Sequence, residues 1–389
     1  MSKLNKIFFG PAGTGKTRQA IEEAVKIVKE SKDEYDLKFS EFDISTHKGS
    51  KECFQAVSNL PKLNITYSPL VKDIHNLQKD VDSIVENLGY QGYLKKGLKN
   101  PKSDILKYRL YPLIEIVTFH PSYSYQDFVE GITVNTNEKT KNIEYSVKDG
   151  IFKKICNRAM DNPTYNYVLI IDEINRGDIS SIFGELFTLL EEDKRKGNDE
   201  SLSINLPYSK DEKGNPKKLS VPKNLYILAT MNTVDKSIAL IDVALRRRFD
   251  FIECMPDSTL NELKQYKEVD LSKLLLTINA RITILKNEHY QIGHSYFLKI
   301  NNFNDLKNII IKSIIPLLQE YFYDDWQSIC AVLNQSYKDT KKYEGLLIKE
   351  KSSKDLFKKE FDELIAYSNQ TIFKINENFT EQDIKNIYE

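Results

Sequence analysis

Eight residues near the start of the chain, Gly10-Pro11-Ala12-Gly13-Thr14-Gly15-Lys16-Thr17, have the types and spacing G-x-x-x-x-G-K-[ST] that grip a polyphosphate. Small residues let successive backbone N–H groups wrap an anion, and a helix beginning at Lys16 would aim its positive end at the same charge. Lys16 would reach the β- and γ-phosphates of a nucleoside triphosphate, and Thr17 would ligate Mg²⁺. The bland alternative is a glycine-rich turn that binds nothing. The order of apolar run Ile7-Phe8-Phe9, loop, and amphipathic stretch to about Glu30 favours the phosphate loop.

A second group could do the chemistry of hydrolysis. The apolar run Val168-Leu169-Ile170-Ile171 ends in Asp172-Glu173, the Walker B arrangement. Asp172 would bind the nucleotide's Mg²⁺ shell, and Glu173 would polarise the attacking water as general base. Leu225 to Met231 leads into Asn232, a side-chain amide at the edge of the next strand that can orient water without adding charge, a sensor 1 position. Asp242 then precedes a helix ending in Arg246-Arg247-Arg248. Three arginines at a helix end can simply complement the macrodipole. A planar, permanently charged guanidinium can also enter a neighbouring subunit's site and stabilise the transferring phosphoryl group, which would imply a ring.

Positioning these residues requires strands that end at a common edge. Strand-like runs fall at Lys3 to Gly10, Pro112 to Phe119, Tyr167 to Asp172, Leu225 to Met231 and Asp250 to Met255, with helical patterns between them. That alternation predicts an α/β fold with a parallel sheet flanked by helices. A polar stretch from about Asp36 to Arg109 reads as an insertion in a nucleotide-binding core covering residues 1–256. Residues 197–222 read as a β-hairpin excursion, and residues 257–389 as a helical lid with Leu271 to Lys286 and Leu306 to Phe322 its clearest helices. The charged run Glu191 to Lys196 reads as the solvated end of the helix after Glu173. Phe119, His120, Tyr123 and Tyr125 read as packing aromatics, and Tyr321, Phe322, Tyr323 and Trp326 as lid core.

Composition bounds the partners. Lys+Arg and Asp+Glu both number 56 in 389 residues, a net charge of 0, which argues against a chain that coats nucleic acid by bulk charge. Cys53, Cys156, Cys254 and Cys330 lie far apart without metal-site spacing, so reduced, mostly buried thiols are expected, and no metal beyond Mg²⁺. The chain enters a core strand within a few residues and has no apolar run long enough to span a membrane, so a cytoplasmic protein is expected.

The combination closely resembles the McrB family of AAA+ proteins, the motor subunits of modification-dependent restriction systems. The resemblance rests on Asp172-Glu173-Ile174-Asn175-Arg176 with Phe183-Gly184-Glu185-Leu186, on Met231-Asn232-Thr233-Val234-Asp235-Lys236-Ser237, and on Ala244-Leu245-Arg246-Arg247-Arg248-Phe249. Phe119-His120-Pro121-Ser122-Tyr123-Ser124-Tyr125-Gln126-Asp127-Phe128 and Ile292-Gly293-His294-Ser295-Tyr296-Phe297 extend it, and the resemblance implies that the first of these offers a surface to the partner or to DNA inside the ring. It implies an AAA+ P-loop NTPase core with a C-terminal α-helical lid, working as a homo-hexameric GTPase. Such a ring drives DNA translocation and licenses cleavage by a separate McrC-like endonuclease, consistent with the lack of a nuclease constellation in this chain. It also implies the sensor role for Asn232, a catalytic role for Asp242 and arginine fingers at Arg247 and Arg248. Val234 and Lys236 depart from the family's Ala and Arg, and Lys loses the bidentate fork. With the phosphate loop at residue 10, the domain that reads modified DNA in well-known members is expected to be absent. Recognition would then fall to the insertion, to the partner or to another chain. Guanine specificity comes from the resemblance alone, so ATP stays open. A MoxR-like ATP-driven protein remodeller is the rival, and a nucleotide-gated scaffold with little turnover a third reading.

Overall fold

In a computed structural model, the described residues are 4–31, 113–136, 142–234, 243–263, 266, 268–337, 345–352, 356, 361 and 371–389. The expected insertion at 36–109 and Asp242 lie outside them. By contacts the chain divides into two units, one of residues 1–8, 17–231 and 237–252, the other of residues 9–16, 232–236 and 253–389.

The strands of the first unit include the five expected from apolar runs. In chain order the strands are β1 Asn5–Gly10, β2 Ile114–Thr118, β3 Glu130–Thr136, β4 Ile143–Asp149, β5 Tyr167–Asp172, β6 Ile204–Lys210, β7 Pro216–Leu219, β8 Leu225–Asn232 and β9 Asp250–Glu253. Five of them make one sheet in the order β2-β5-β8-β1-β9, with β2, β5 and β8 parallel. Val168 to Ile171 of β5 are wholly inaccessible, which explains why this strand reads as an unbroken apolar run rather than an alternating one. Helix α1, Lys16–Glu30, follows β1, and α2, Ile151–Asp161, precedes β5. An aromatic cluster fills the core between elements: Phe128 stacks on Phe152 at 4.9 Å and meets Phe183 edge-on at 4.9 Å, while Phe119 stacks on Tyr123 at 5.0 Å. Phe119 and Phe128 are thus packing residues and Tyr123 is half-buried against them, while His120, Pro121, Ser122, Gln126 and Asp127 are exposed.

Two antiparallel hairpins leave the sheet. β6–β7 falls within the expected excursion. The β3–β4 pair is unforeseen, because its apolar residues alternate but face outward: Ile132, Val134, Ile143, Tyr145 and Val147 are all exposed.

The segment after β5 corrects the reading of Glu191 to Lys196. A single helix does not form. The α-helical turn Ile179–Phe183 gives way at Gly184, φ 49°, to a 3-10 segment running to Leu190. Nor is the charged run solvated throughout, since Arg195 is completely buried. Its guanidinium donates to the Leu225 carbonyl at 2.8 Å, the Pro222 carbonyl at 3.3 Å and Asn5 Oδ1 at 2.7 Å. Asn5 Nδ2 in turn donates to the carbonyls of Leu190 and Arg248, at 2.9 and 3.0 Å. Burial pulls Arg195 down to about 10, so the group stays charged at neutral pH. Arg195→Ala would strand several buried acceptors and open a cavity, each effect costing about 1–3 kcal/mol. We expect a loss on the order of 3 kcal/mol in denaturant unfolding; a shift within error would show that this node contributes nothing to stability.

The second unit is mainly helical, with α3 to be distinguished in the first unit as Val243–Arg248 and α4, Leu271–Leu285, opening the lid. Asp270 caps α4 by accepting the Lys273 N–H at 2.9 Å. One long helical run, Phe303–Phe322, contains a π-helical turn at Ile310–Ile314 just before Pro316, whose missing N–H and ring cannot continue a regular ladder. Its inner face buries Leu306, Ile310, Ile314 and Leu318 in the lid core, together with Tyr321 and Phe322. The expectation of an all-helical tail needs one correction: β10, Leu347–Ser352, and β11, Thr371–Ile375, form an antiparallel pair. Phe373 of β11 lies 5.4 Å from the Trp326 ring, so the hairpin completes the apolar core rather than decorating it. Among the described residues no helix is long and apolar enough to cross a membrane. Cys156, Cys254 and Cys330 are buried free thiols.

Candidate nucleotide site

The candidate phosphate loop, Gly10–Thr17, is shaped by backbone that favours glycine. Gly10, Gly13 and Gly15 have φ of 152°, 77° and 79°, and a Cβ on Gly10 would lie 2.2 Å from the Cys254 carbonyl oxygen. Lys16 is nearly buried, and its ammonium donates to the carbonyls of Gly10 and Pro11 at 3.0 and 2.6 Å. The Thr14 hydroxyl donates to the Pro11 carbonyl at 3.0 Å, bracing the turn from within.

The lid segment singled out in sequence packs on the back of this loop. Ser295 N–H donates to the Gly13 carbonyl at 3.0 Å, and a Cβ on Gly293 would sit 2.0 Å from the Gly13 carbonyl carbon. His294 Nδ1 accepts the Asp257 N–H at 3.1 Å, leaving Nε2 toward the loop at Gly15. Thr233, directly after Asn232, donates its N–H to the Gly10 carbonyl at 3.2 Å, which sets the end of β8 against the start of the loop.

In the first unit, Thr17, in the first turn of α1, donates its hydroxyl to Asp172 Oδ1 at 3.0 Å. Thr230 Oγ1 donates to the same oxygen at 2.6 Å and accepts the Glu173 N–H at 3.1 Å. Sequence reasoning passed over Thr230; the available signal was a hydroxyl two residues before Asn232 on the strand beside β5. Glu173 adopts a left-handed backbone, φ 54°, a conformation that costs a non-glycine residue about 1 kcal/mol or more and recurs at functional sites. Its carboxylate is about three-quarters buried and lies 3.5 Å from Arg176 Nε. A hydroxyl and a carboxylate oxygen held 3.0 Å apart are hard oxygen donors suited to Mg²⁺, so Thr17 and Asp172 fit the expected cation.

The three arginines of α3 differ sharply. Arg246 lies 5.4 Å over the Phe251 ring, and Arg248 bonds Glu191 Oε1 at 2.5 Å with Phe187 beneath it. Arg247 is exposed and makes no side-chain hydrogen bond, ion pair or ring contact with the other described residues, a distinction invisible in the sequence.

Family comparison matches residues 91–249 to the AAA domain of the dynein-related subfamily and residues 270–330 to the McrB alpha-helical lid domain. The chain carries an AAA domain and a McrB-type helical lid. The McrB-type lid match contains the Gly293–Ser295 segment seated on the phosphate loop, while the loop itself precedes the AAA match. One relative, the type IV methyl-directed restriction enzyme EcoKMcrB subunit of Escherichia coli K12, is 38% identical over 252 residues, 60% of this chain and 50% of that protein. Another, the type II restriction enzyme BsuMI component YdiS of Bacillus subtilis 168, is 29% identical over 224 residues, 51% of this chain and 60% of that protein. The chain thus matches about half the length of these relatives.

The close approach of the McrB-type lid to the loop gives a prediction. Gly293→Ala would drive a methyl group into the backbone of Ala12 and Gly13, neither of which is a flexible side-chain end. We expect the lid to fold and the loop to be displaced, weakening binding of a fluorescent nucleoside triphosphate about tenfold or more. Unchanged affinity would show that the loop yields to the lid.

Proposed function

We propose that this chain is an NTP-hydrolysing motor subunit of a restriction system, cytoplasmic, preferring GTP and working as a homo-hexameric ring on DNA with a McrC-like nuclease partner. The observation that carries the reading is the cluster around Asp172: one carboxylate oxygen receives the hydroxyls of both Thr17 and Thr230, and Glu173 follows it in a left-handed backbone.

In this reading the loop Gly10–Gly15 cradles the phosphates and Lys16 meets the β- and γ-oxygens. Thr17 and Asp172 hold Mg²⁺, which when bound neutralises phosphate charge. Glu173 accepts a proton from water as its oxygen attacks the γ-phosphorus; the bond to the bridging oxygen breaks and the diphosphate leaves. Thr230 fixes both the Asp172 oxygen and the Glu173 backbone, so the two carboxylates keep separate tasks. Asn232 orients the water, and the resemblance gives Asp242 a catalytic role. Arg247 reaches the neighbouring subunit's nucleotide. Arg248, tied to Glu191 and Phe187 of its own subunit, braces the helix that presents Arg247.

Steady-state hydrolysis of GTP and ATP, with and without the candidate nuclease, tests the proposal. A GTP preference with a rate raised by the nuclease is expected. An ATP preference indifferent to the nuclease would overturn it in favour of a MoxR-like remodeller.

A further inference from the structure

Away from the nucleotide motifs, a cavity of about 360 Å³ opens among β4, α2 and the β6–β7 hairpin. Its floor is fixed. Lys153, largely buried, bonds Glu130 Oε2 at 2.6 Å, Asp149 Oδ1 at 2.6 Å and Ser209 Oγ at 2.7 Å, so all three ammonium hydrogens are used and two carboxylates answer one cation. Glu130, wholly buried, also accepts the Tyr208 and Ser209 N–H groups at 2.8 and 3.0 Å, which pins β6 to β3.

The rim has the opposite character. Lys210, Lys217 and Lys218 line the same cavity, are exposed, and make no side-chain ion pair or hydrogen bond with the other described residues. The acid beside them, Asp149, is already engaged by Lys153. Three uncompensated cations around one cavity repel one another, and an anionic ligand relieves that cost. A second observation narrows the ligand. Val147, which also lines the cavity, belongs to the outward apolar face of the β3–β4 hairpin. Tyr145, 74% exposed, stands two residues along on that face, opposite Val134. Ammonium groups beside an exposed aromatic ring are the pairing that holds a nucleic-acid strand, phosphates on the cations and a base on the ring.

We propose that the lysine-rimmed cavity and Tyr145 form a nucleic-acid-binding surface, gripping the phosphate backbone through Lys210, Lys217 and Lys218. The inference rests on the motor reading for its choice of DNA, and its test is separable from that reading. Fluorescence anisotropy of the full chain with a labelled single-stranded oligonucleotide should show binding that weakens with salt. Lys210→Gln/Lys217→Gln/Lys218→Gln should lower affinity at least tenfold and flatten the salt slope by about two, since each phosphate contact on a single strand contributes about 0.7. Tyr145→Ala should lower affinity about tenfold with the slope unchanged. Basal hydrolysis without DNA, read on the same variants, should stay at the wild-type level; its absence from every protein would fault the motor reading and leave the binding result standing. Wild-type affinity and slope in the triple variant, or no binding by the wild type, would overturn the inference. So would competition by polyglutamate equal to that by unlabelled DNA, or displacement by inorganic phosphate at constant ionic strength.

Discussion

Replacing Arg247 with alanine should leave nucleotide binding within a few-fold of wild type and lower steady-state hydrolysis by about 10³-fold or more, the range an arginine finger contributes to phosphoryl transfer. Arg246 rests on Phe251, and Arg248 is fixed by Glu191 over Phe187. The carbonyl of Arg248 is further held by Asn5 Nδ2 at 3.0 Å, and Asn5 by the buried Arg195. The end of α3 is thus anchored on both sides of an exposed guanidinium that bonds none of the other described residues. Such a group adds little to its own subunit's stability, so Arg247→Ala should melt like the wild type. Hydrolysis within about threefold of wild type would remove Arg247 from the reaction and shift attention to Arg248, with Glu191→Ala then expected to release it.

Glu173→Gln should reduce hydrolysis by about 10²–10⁴-fold while nucleotide affinity is kept, the signature of a lost general base rather than a lost ligand. Gln matches Glu in size and can take the same left-handed backbone, so the Thr230 contact to its N–H survives and only the proton acceptor is removed. A single-turnover measurement at saturating nucleotide isolates this step from binding. A rate near wild type would mean that Glu173 acts elsewhere, for instance through its ion pair with Arg176. The same variant separates a motor, which loses function while still assembling, from a nucleotide-gated scaffold, which keeps it.

The legible parts of this molecule are those whose signal is local. β1, the phosphate loop and α1 are contiguous, so run, glycines and amphipathic stretch mark one another, and α1 spans Lys16–Glu30 as read from sequence. The five strands of the sheet were legible for the same reason: each is a short apolar run ending at turn residues or carboxylates. What escaped depends on partners far along the chain. Arg195 sits in a run of charges that looks solvated, and its burial is set by Asn5 and by the Leu225 carbonyl, distant residues that no local pattern reveals. The different engagement of Arg247 and Arg248 turns on Glu191, and the role of Thr230 turns on the strand pairing that sets it beside Asp172. The β3–β4 hairpin carries a period-two pattern, but its apolar side faces outward, opposite to the rule by which alternating strands are recognised. In the lid, β10 and β11 are separated by a long connection, so no turn signal joins them.

A mixing experiment tests directly whether the site is completed across subunits. Lys16→Ala lacks the phosphate lysine but keeps Arg247; Arg247→Ala keeps the loop and Glu173 but lacks the arginine. Each alone should be nearly inactive. Mixed at equal concentration, they should recover GTP hydrolysis well above either alone, because some interfaces would pair an intact loop with an intact Arg247. Hydrolysis that stays at the sum of the two separate rates, under conditions where the variants co-assemble, would contradict the ring motor.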